Sequence, residues 1–222
     1  MCLINIILGS TEITLTMGRV RNKLNDLVRP FINHRNRKRL KNHDFSLIAN
    51  NCNGAFILHD LGMRFNSPFV NLWIKPDDYI KILSDLQGYM DEDLTFVTED
   101  SISYPIGLLR DVRIYFQHYD TEEEAKQKWN SRRLRLNYDN IFVLLTDKDG
   151  CTQKELESFD KLPYKNKLVF TNKFCPKLKS VFHIKGFEKQ KEVGDCFAFV
   201  PNKIGVKYYD QFDYVKWFNN TL

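Results

Sequence analysis

One stretch constrains the fold more than any other: Phe45 to Gly62, FSLIANNCNGAFILHDLG. Its opening apolar run, Phe45 to Ala49, has the length and bulk of a buried strand. Asn50 and Asn51 follow, residues of a type that makes turns and caps helices. Ala55, Phe56, Leu58, His59 and Leu61 then recur at helical spacing, up to a glycine placed where helices end. Strand, tight turn and helix in this order predict an α/β domain with Cys52 at a helix N-terminus. Orphan N–H groups and the helix dipole favour a thiolate there, although most cysteines at helix starts are packed and inert.

The rest of the chain keeps alternating. Ser67-Pro68 biases Phe65 to Ile74 toward extended backbone, and Pro76 with Asp77 and Asp78 opens a helix. Val112 to Tyr119, VRIYFQHY, reads as a strand carrying His118 near its end. Thr121 caps a helix whose first turn holds three glutamates and which reaches about Leu136. Ile141 to Leu145 is a strand that runs into the turn TDKDG, and Thr152 with Glu155 forms a capping-box pattern. Lys167 to Phe170 and Val181 to Ile184 are further strands, and Val206 to Phe218 is at least partly helical. Asp93 to Val97 and Phe197 to Val200 suit antiparallel edge pairing. The expected fold is α/β, with α+β as the alternative. It is one domain over 45–222 whose mixed sheet, flanked by helices, holds the strands near Phe45, Val112, Ile141 and Lys167. Residues 1–44 are expected to be a strand or tail followed by a basic helix.

That basic helix, Gly18 to Lys41, sets nine lysines and arginines against Asp26, with Pro30 marking a break or kink. It supplies much of the net charge of +5 over 222 residues. With no interleaved aromatic stacking residues and no nucleic-acid motif, residues 18–41 point to an anionic membrane surface rather than nucleic acid. The plainer alternative is a solvated helix. Five cysteines without regular spacing fit a reducing compartment, and the protein is expected in the cytoplasm or peripherally at the inner face of the membrane. No zinc spacing, dinucleotide fingerprint, P-loop or GxSxG elbow occurs, so no cofactor and no structural metal is expected.

Two side-chain constellations carry chemistry on their own. Asp147 and Asp149 follow an apolar strand, as do the acidic pairs that hold a divalent metal and a sugar-nucleotide diphosphate; an Asp/Gly turn accounts for them equally. Arg132, Arg133 and Arg135, near Trp129, suit a phosphate or an acidic sugar, or simply an exposed helix face. His59 reads as a packed core histidine.

The runs NNCNGAFILHDLGMRFNSPFVNLW, YPIG, NYDNIFVLLTDKDGCT, FDKLPYKNKLVFTNK and YYDQFDYVKW resemble an uncharacterised bacterial domain family, over nearly the whole chain. Its members are often described as exopolysaccharide biosynthesis proteins. The resemblance implies a place in sugar-polymer assembly, with a sugar or sugar nucleotide as substrate, and fixes no reaction. A second resemblance concerns order only: a cysteine at a helix start, a histidine on a later strand, then a polar residue after the next strand is similar to papain-like cysteine enzymes. It implies Cys52, His118 and Asp147 as catalytic residues, with Asn50 or Asn51 as an oxyanion donor. The glutamine before and tryptophan after the papain-type cysteine are absent here. Three functions follow: a cysteine-dependent hydrolase or transferase, a metal-assisted sugar transferase using Asp147 and Asp149, or a non-catalytic partner in polysaccharide assembly.

Overall fold

The computed structural model describes residues 2–222, and their side chains from Gly18 onward. The strand or tail expected for the first residues does not form: from Cys2 onward they are helical and continuous with the basic segment. The chain begins with helix α1 (Cys2–Arg39), which runs through Pro30. The break expected at Pro30 is therefore not an end of the helix; a proline there removes one backbone bond and crowds the preceding turn, and tertiary contacts hold the helix across it.

Strand β1 (Ser46–Ala49) leads through Asn50 to Cys52 into helix α2 (Asn53–Asp60). Gly62 ends that helix with φ +66°, and the N–H of Met63 returns to the carbonyl of Leu58, the pattern of a glycine-terminated helix. Gly54 is needed for a second reason: a Cβ there would stand 2.6 Å from that of Ala49, so α2 could not lie so close to its own strand. Helices α3 (Pro76–Ser84) and α4 (Leu86–Asp91) follow, then strands β2 (Thr95–Val97), β3 (Ile106–Leu109) and β4 (Val112–Tyr115). Helix α5 (Glu122–Arg133), strand β5 (Ile141–Thr146), helix α6 (Gln153–Asp160), strands β6 (Asn166–Thr171) and β7 (Val181–His183) and helix α7 (Tyr214–Phe218) complete the order.

The mixed α/β class is the one expected, but its strands form two sheets. β1, β5, β6 and β7 are parallel, adjacent in that order, whereas β2, β3 and β4 form an antiparallel sheet. The strand at Val112 thus does not join those at Phe45, Ile141 and Lys167. Its hairpin partner β3 is only two residues away, and local antiparallel pairing satisfies its backbone without a crossover. The two sheets meet through the segment before α3, where Trp73 pairs with Tyr115 and the N–H of Ile74 reaches the carbonyl of Asn50.

Alternation along the parallel strands divides the core. Ile48, Val143, Leu145 and Val169 face a layer built with α3, α5, α6 and the antiparallel sheet. Leu47, Ala49, Phe142, Leu144, Leu168 and Phe170 face a layer with α2, α7 and the C-terminal aromatics. Burial on both faces is the usual condition of a parallel sheet.

Helix α1 is turned inside out. Asn25, Arg29, Asn33 and Asn36 are its buried face, while Val20, Leu24, Leu27 and Phe31 are exposed, Leu27 by 65% and Phe31 by 76%. All four residues of the buried face are bonded, although Arg29 Nε and Asn33 Oδ1 have no partner among the described residues. Asn25 accepts from the N–H of Gly205, Asn33 donates to Asp60, and Asn36 donates to the Tyr214 hydroxyl. Arg29 pairs with Asp60 at 2.6 Å and with Asp210, and Lys207 approaches Asp60 at 2.9 Å, with the Tyr209 hydroxyl on the same carboxylate. Most of the arginines expected to face outward as part of a charged surface are thus structural: Arg37 donates to the carbonyl of Asp60, Arg39 pairs with Asp213, and Arg21 reaches the carbonyl of Val200.

Candidate functional site

Parallel strands deliver the residues that follow them to one edge of the sheet, where clefts form in α/β proteins. Here the turn after β1 brings Asn51, Cys52 and Asn53, and the turn after β5 brings Lys148 and Asp149. Together with Trp73, Gln117 and Asp195 they line a cleft of about 230 Å³.

The asparagines shape this edge. Asn50 accepts from the N–H of Thr146 at 2.9 Å and donates to its carbonyl, which locks the end of β1 to that of β5. Asn51 accepts from the N–H of Asn53 and from the Thr146 hydroxyl. Asn50 is thus engaged through both ends of its amide, whereas Asn51 is engaged through its Oδ1 alone. Asn53 donates to the Thr146 hydroxyl at 3.1 Å, while its buried Oδ1 has no partner among the described residues. The buried indole Nε1 of Trp73 is unpartnered as well, and that ring stacks on Tyr115 at 4.1 Å.

Cys52 stands at the N-cap of α2, as expected, but in helical conformation and without a capping hydrogen bond from its side chain. Burial, followed by the nearby charge of Asp195, pushes its thiol up, and Lys148 opposes this only in part. Desolvation thus outweighs the helix N-terminus. His118 lies on an exposed turn beyond β4, and no hydrogen bond joins it to Cys52 among the described residues; its neighbour Gln117 is the one that lines the cleft.

Asp147 is fully buried and already satisfied. The Thr171 hydroxyl donates to it at 2.5 Å and Lys173 pairs with it at 3.1 Å. Asp149, two residues on, stands in the cleft at φ +57°. Burial raises its carboxyl above the usual range, against the pull of Lys148 and with help from Glu192 and Asp195. The acidic partner of Asp149 in the cleft is therefore Asp195, paired with Lys148 at 2.7 Å, rather than Asp147. Among the described residues no three His, Cys, Asp or Glu side chains converge as a metal site would require.

Arg132 and Arg133 part company. Arg133 donates to the carbonyls of Met90 and Glu92 and fixes the end of α4. Arg132 is buried, donates to the Tyr119 hydroxyl at 2.6 Å and lies over the ring of Phe65. His59, expected in the core, is instead 76% exposed in its side chain: its position on α2 points away from the sheet. Trp73 and Asp195 had no signal in the sequence, because each reaches the cleft from a segment without periodicity of its own; Asn53 opens α2, and nothing in the sequence tells it apart from the asparagines before it.

A family described as "Domain of unknown function (DUF1919)" matches residues 23–219. The chain is also 49% identical over 203 residues to a protein of Haemophilus influenzae described as uncharacterized, covering 91% of this chain and 98% of that one.

Proposed function

The chain belongs to the DUF1919 domain family, and on that premise we propose that it binds and processes a sugar unit at the carboxyl edge of its parallel sheet, in bacterial exopolysaccharide assembly on the cytoplasmic side of the envelope. One observation carries this reading. Two residues that line the cleft each bury a polar atom with no hydrogen-bond partner among the described residues, the acceptor Asn53 Oδ1 and the donor Trp73 Nε1. Buried polar atoms left unpaired are costly, of the order of 1–3 kcal/mol each. A sugar offers what they lack: hydroxyls that both donate and accept, on a ring with an apolar face that can lie against an indole.

The carboxylates give the site its chemistry. Asp195 is ion-paired, whereas Asp149 makes no ion pair among the described residues and is raised by burial. Two acids in unlike surroundings suit the division between a charge that orients and a group that gives or takes a proton. Asp149 is the proton-handling group in this reading. The thiol chemistry of a papain-like enzyme has less behind it, since Cys52 is raised rather than lowered and no imidazole is bonded to it.

Trp129 and Trp217 are buried, so Trp73 is the tryptophan that a ligand can reach. Titration with a panel of hexoses, uronic acids and their oligomers should give a saturable change in tryptophan emission, absent in Trp73→Phe. Failure of every sugar in the panel to bind, by emission and by saturation-transfer NMR, would overturn the reading.

A further inference from the structure

A second cavity, of about 600 Å³, opens beside the C-terminal end of α2 and the last turns of α5. It is lined by Arg37, Arg64, Lys128, Arg132 and Arg135, with His59, Gly62, Met63, Phe65 and Ser131. No aspartate or glutamate lines it. Arg37 donates to the carbonyls of Asp60 and His59, Arg135 to that of Phe65, and Arg132 to the Tyr119 hydroxyl. None of the five cations is in an ion pair among the described residues, although Arg132 is more than nine-tenths buried. Burial, then the like charges of Arg64 and Arg132, lowers the affinity of Arg135 for its proton. A folded chain normally meets a buried guanidinium with a carboxylate; here the neutralising charge has to come from outside.

We infer that this cavity is a binding site for a diphosphate group. Forked guanidiniums match phosphate oxygens in pairs, and five cations around one opening exceed what a single phosphate can contact. The exposed side chains of Arg64 and Lys128 leave the mouth open, as a group carried on a larger molecule requires. The site is lined by none of the residues of the sugar cleft, so it stands or falls separately from the reading given above.

Calorimetric titration tests it with inorganic phosphate, pyrophosphate, a nucleoside diphosphate and a short prenyl diphosphate at fixed ionic strength. Pyrophosphate should bind at least tenfold tighter than phosphate, and whichever organic diphosphate binds best identifies a soluble or a lipid-linked carrier. Arg132→Gln and Arg135→Gln should each weaken pyrophosphate at least tenfold. The exposed pair Arg64→Gln and Lys128→Gln tests the same point where the fold cannot be at issue, and should together do the same. Trp73→Phe should leave pyrophosphate binding unchanged. Absent binding at millimolar pyrophosphate, or equal binding by the Arg64/Lys128 double variant, would overturn the assignment.

A different observation carries a second proposal: the outward stripe of α1. Val20, Leu24, Leu27 and Phe31 are spaced by four, three and four residues and so form one line along the helix, flanked by the exposed Lys23, His34, Arg35 and Lys38. We propose that this face lies on an anionic membrane surface. The four side chains present a few hundred Å² at most, against roughly 800 Å² per partner in a stable protein interface, and a second copy would set cations against cations. Apolar side chains among lysines and arginines are what an interfacial helix needs. Arg37 and Arg39 are engaged inside the protein, so the informative triple variant is Lys23→Gln, Arg35→Gln and Lys38→Gln. Co-sedimentation should show binding to phosphatidylglycerol vesicles and none to phosphatidylcholine ones. The triple variant should lose roughly 100-fold, and Leu27→Ser with Phe31→Ser should abolish binding. A parent protein that ignores the anionic vesicles, or a stripe-dependent dimer in sedimentation velocity, would overturn it.

Discussion

Arg29 and Arg132 are buried to nearly the same degree, 6% and 9% exposed, yet they live in opposite surroundings. Arg29 is met by Asp60, Asp210 and the carbonyl of Gly205. Arg132 is met by a phenol and an aromatic face, among four further cations. The first arrangement closes on itself: both terminal nitrogens of the guanidinium have a carboxylate, and the cluster joins α1 to α2 and to the C-terminal segment. The second is left open. Burial alone does not tell a structural charge from a functional one; the sign of its neighbours does.

The largest expected effect comes from breaking the closed cluster. Asp60→Asn strands Arg29 and Lys207 in a buried position and should cost about 3–5 kcal/mol in denaturant unfolding. A loss below 1 kcal/mol would mean that the two regions differ less than their neighbours suggest.

Acid provides the next test. Burial by itself would raise the Asp60 carboxyl, but the Tyr209 hydrogen bond and the charges of Arg29 and Lys207 hold it down at about 2. A carboxyl lowered on folding adds stability that is complete above its unfolded value, near pH 4, and is lost as pH falls toward 2. This limb should amount to roughly 2 kcal/mol and should vanish in Asp60→Asn. A wild-type stability that is flat between pH 4 and 2 would contradict it.

The smallest effect on stability is expected where the charge is open. Arg132→Met removes an unpaired buried cation and should change unfolding by no more than about 1 kcal/mol in either direction. Arg133→Gln, one residue on, should cost a similar amount while leaving pyrophosphate binding intact. If Arg132→Met were as damaging as Asp60→Asn, the contrast between the two arginines would collapse.

Much of the backbone could be read from the sequence, because its signals are local. The unit from Phe45 to Gly62, the Thr121 cap, the capping box of Thr152 and Glu155 and the apolar run at Ile141 all appear where expected. The partition into two sheets was not legible, since alternation in VRIY assigns faces and says nothing about which strand lies beside it. The basic segment misled for a related reason. Nine like charges look like a surface, but the acids that bury Arg29 stand 31 and 181 residues away. At the cleft, Cys52 and the turn after β5 were visible as motifs, whereas Asn53 and Trp73 matter only through hydrogen bonds they do not make.

The inverted helix also has a consequence in time. The partners of its polar face arrive late: Gly205 follows Arg29 by 176 residues and Asp210 by 181. At bacterial synthesis rates of about 5–20 residues per second, that is roughly 9–36 seconds after Arg29 is made. Asp60 is made early enough to meet Arg29 and Asn33, but throughout that interval Asn25 and Asn36 lack their partners Gly205 and Tyr214, and the stripe from Val20 to Phe31 is already on offer. A nascent chain in this condition can reach a membrane surface before it has finished folding, so the order of the two events is set by the ribosome rather than by their affinities.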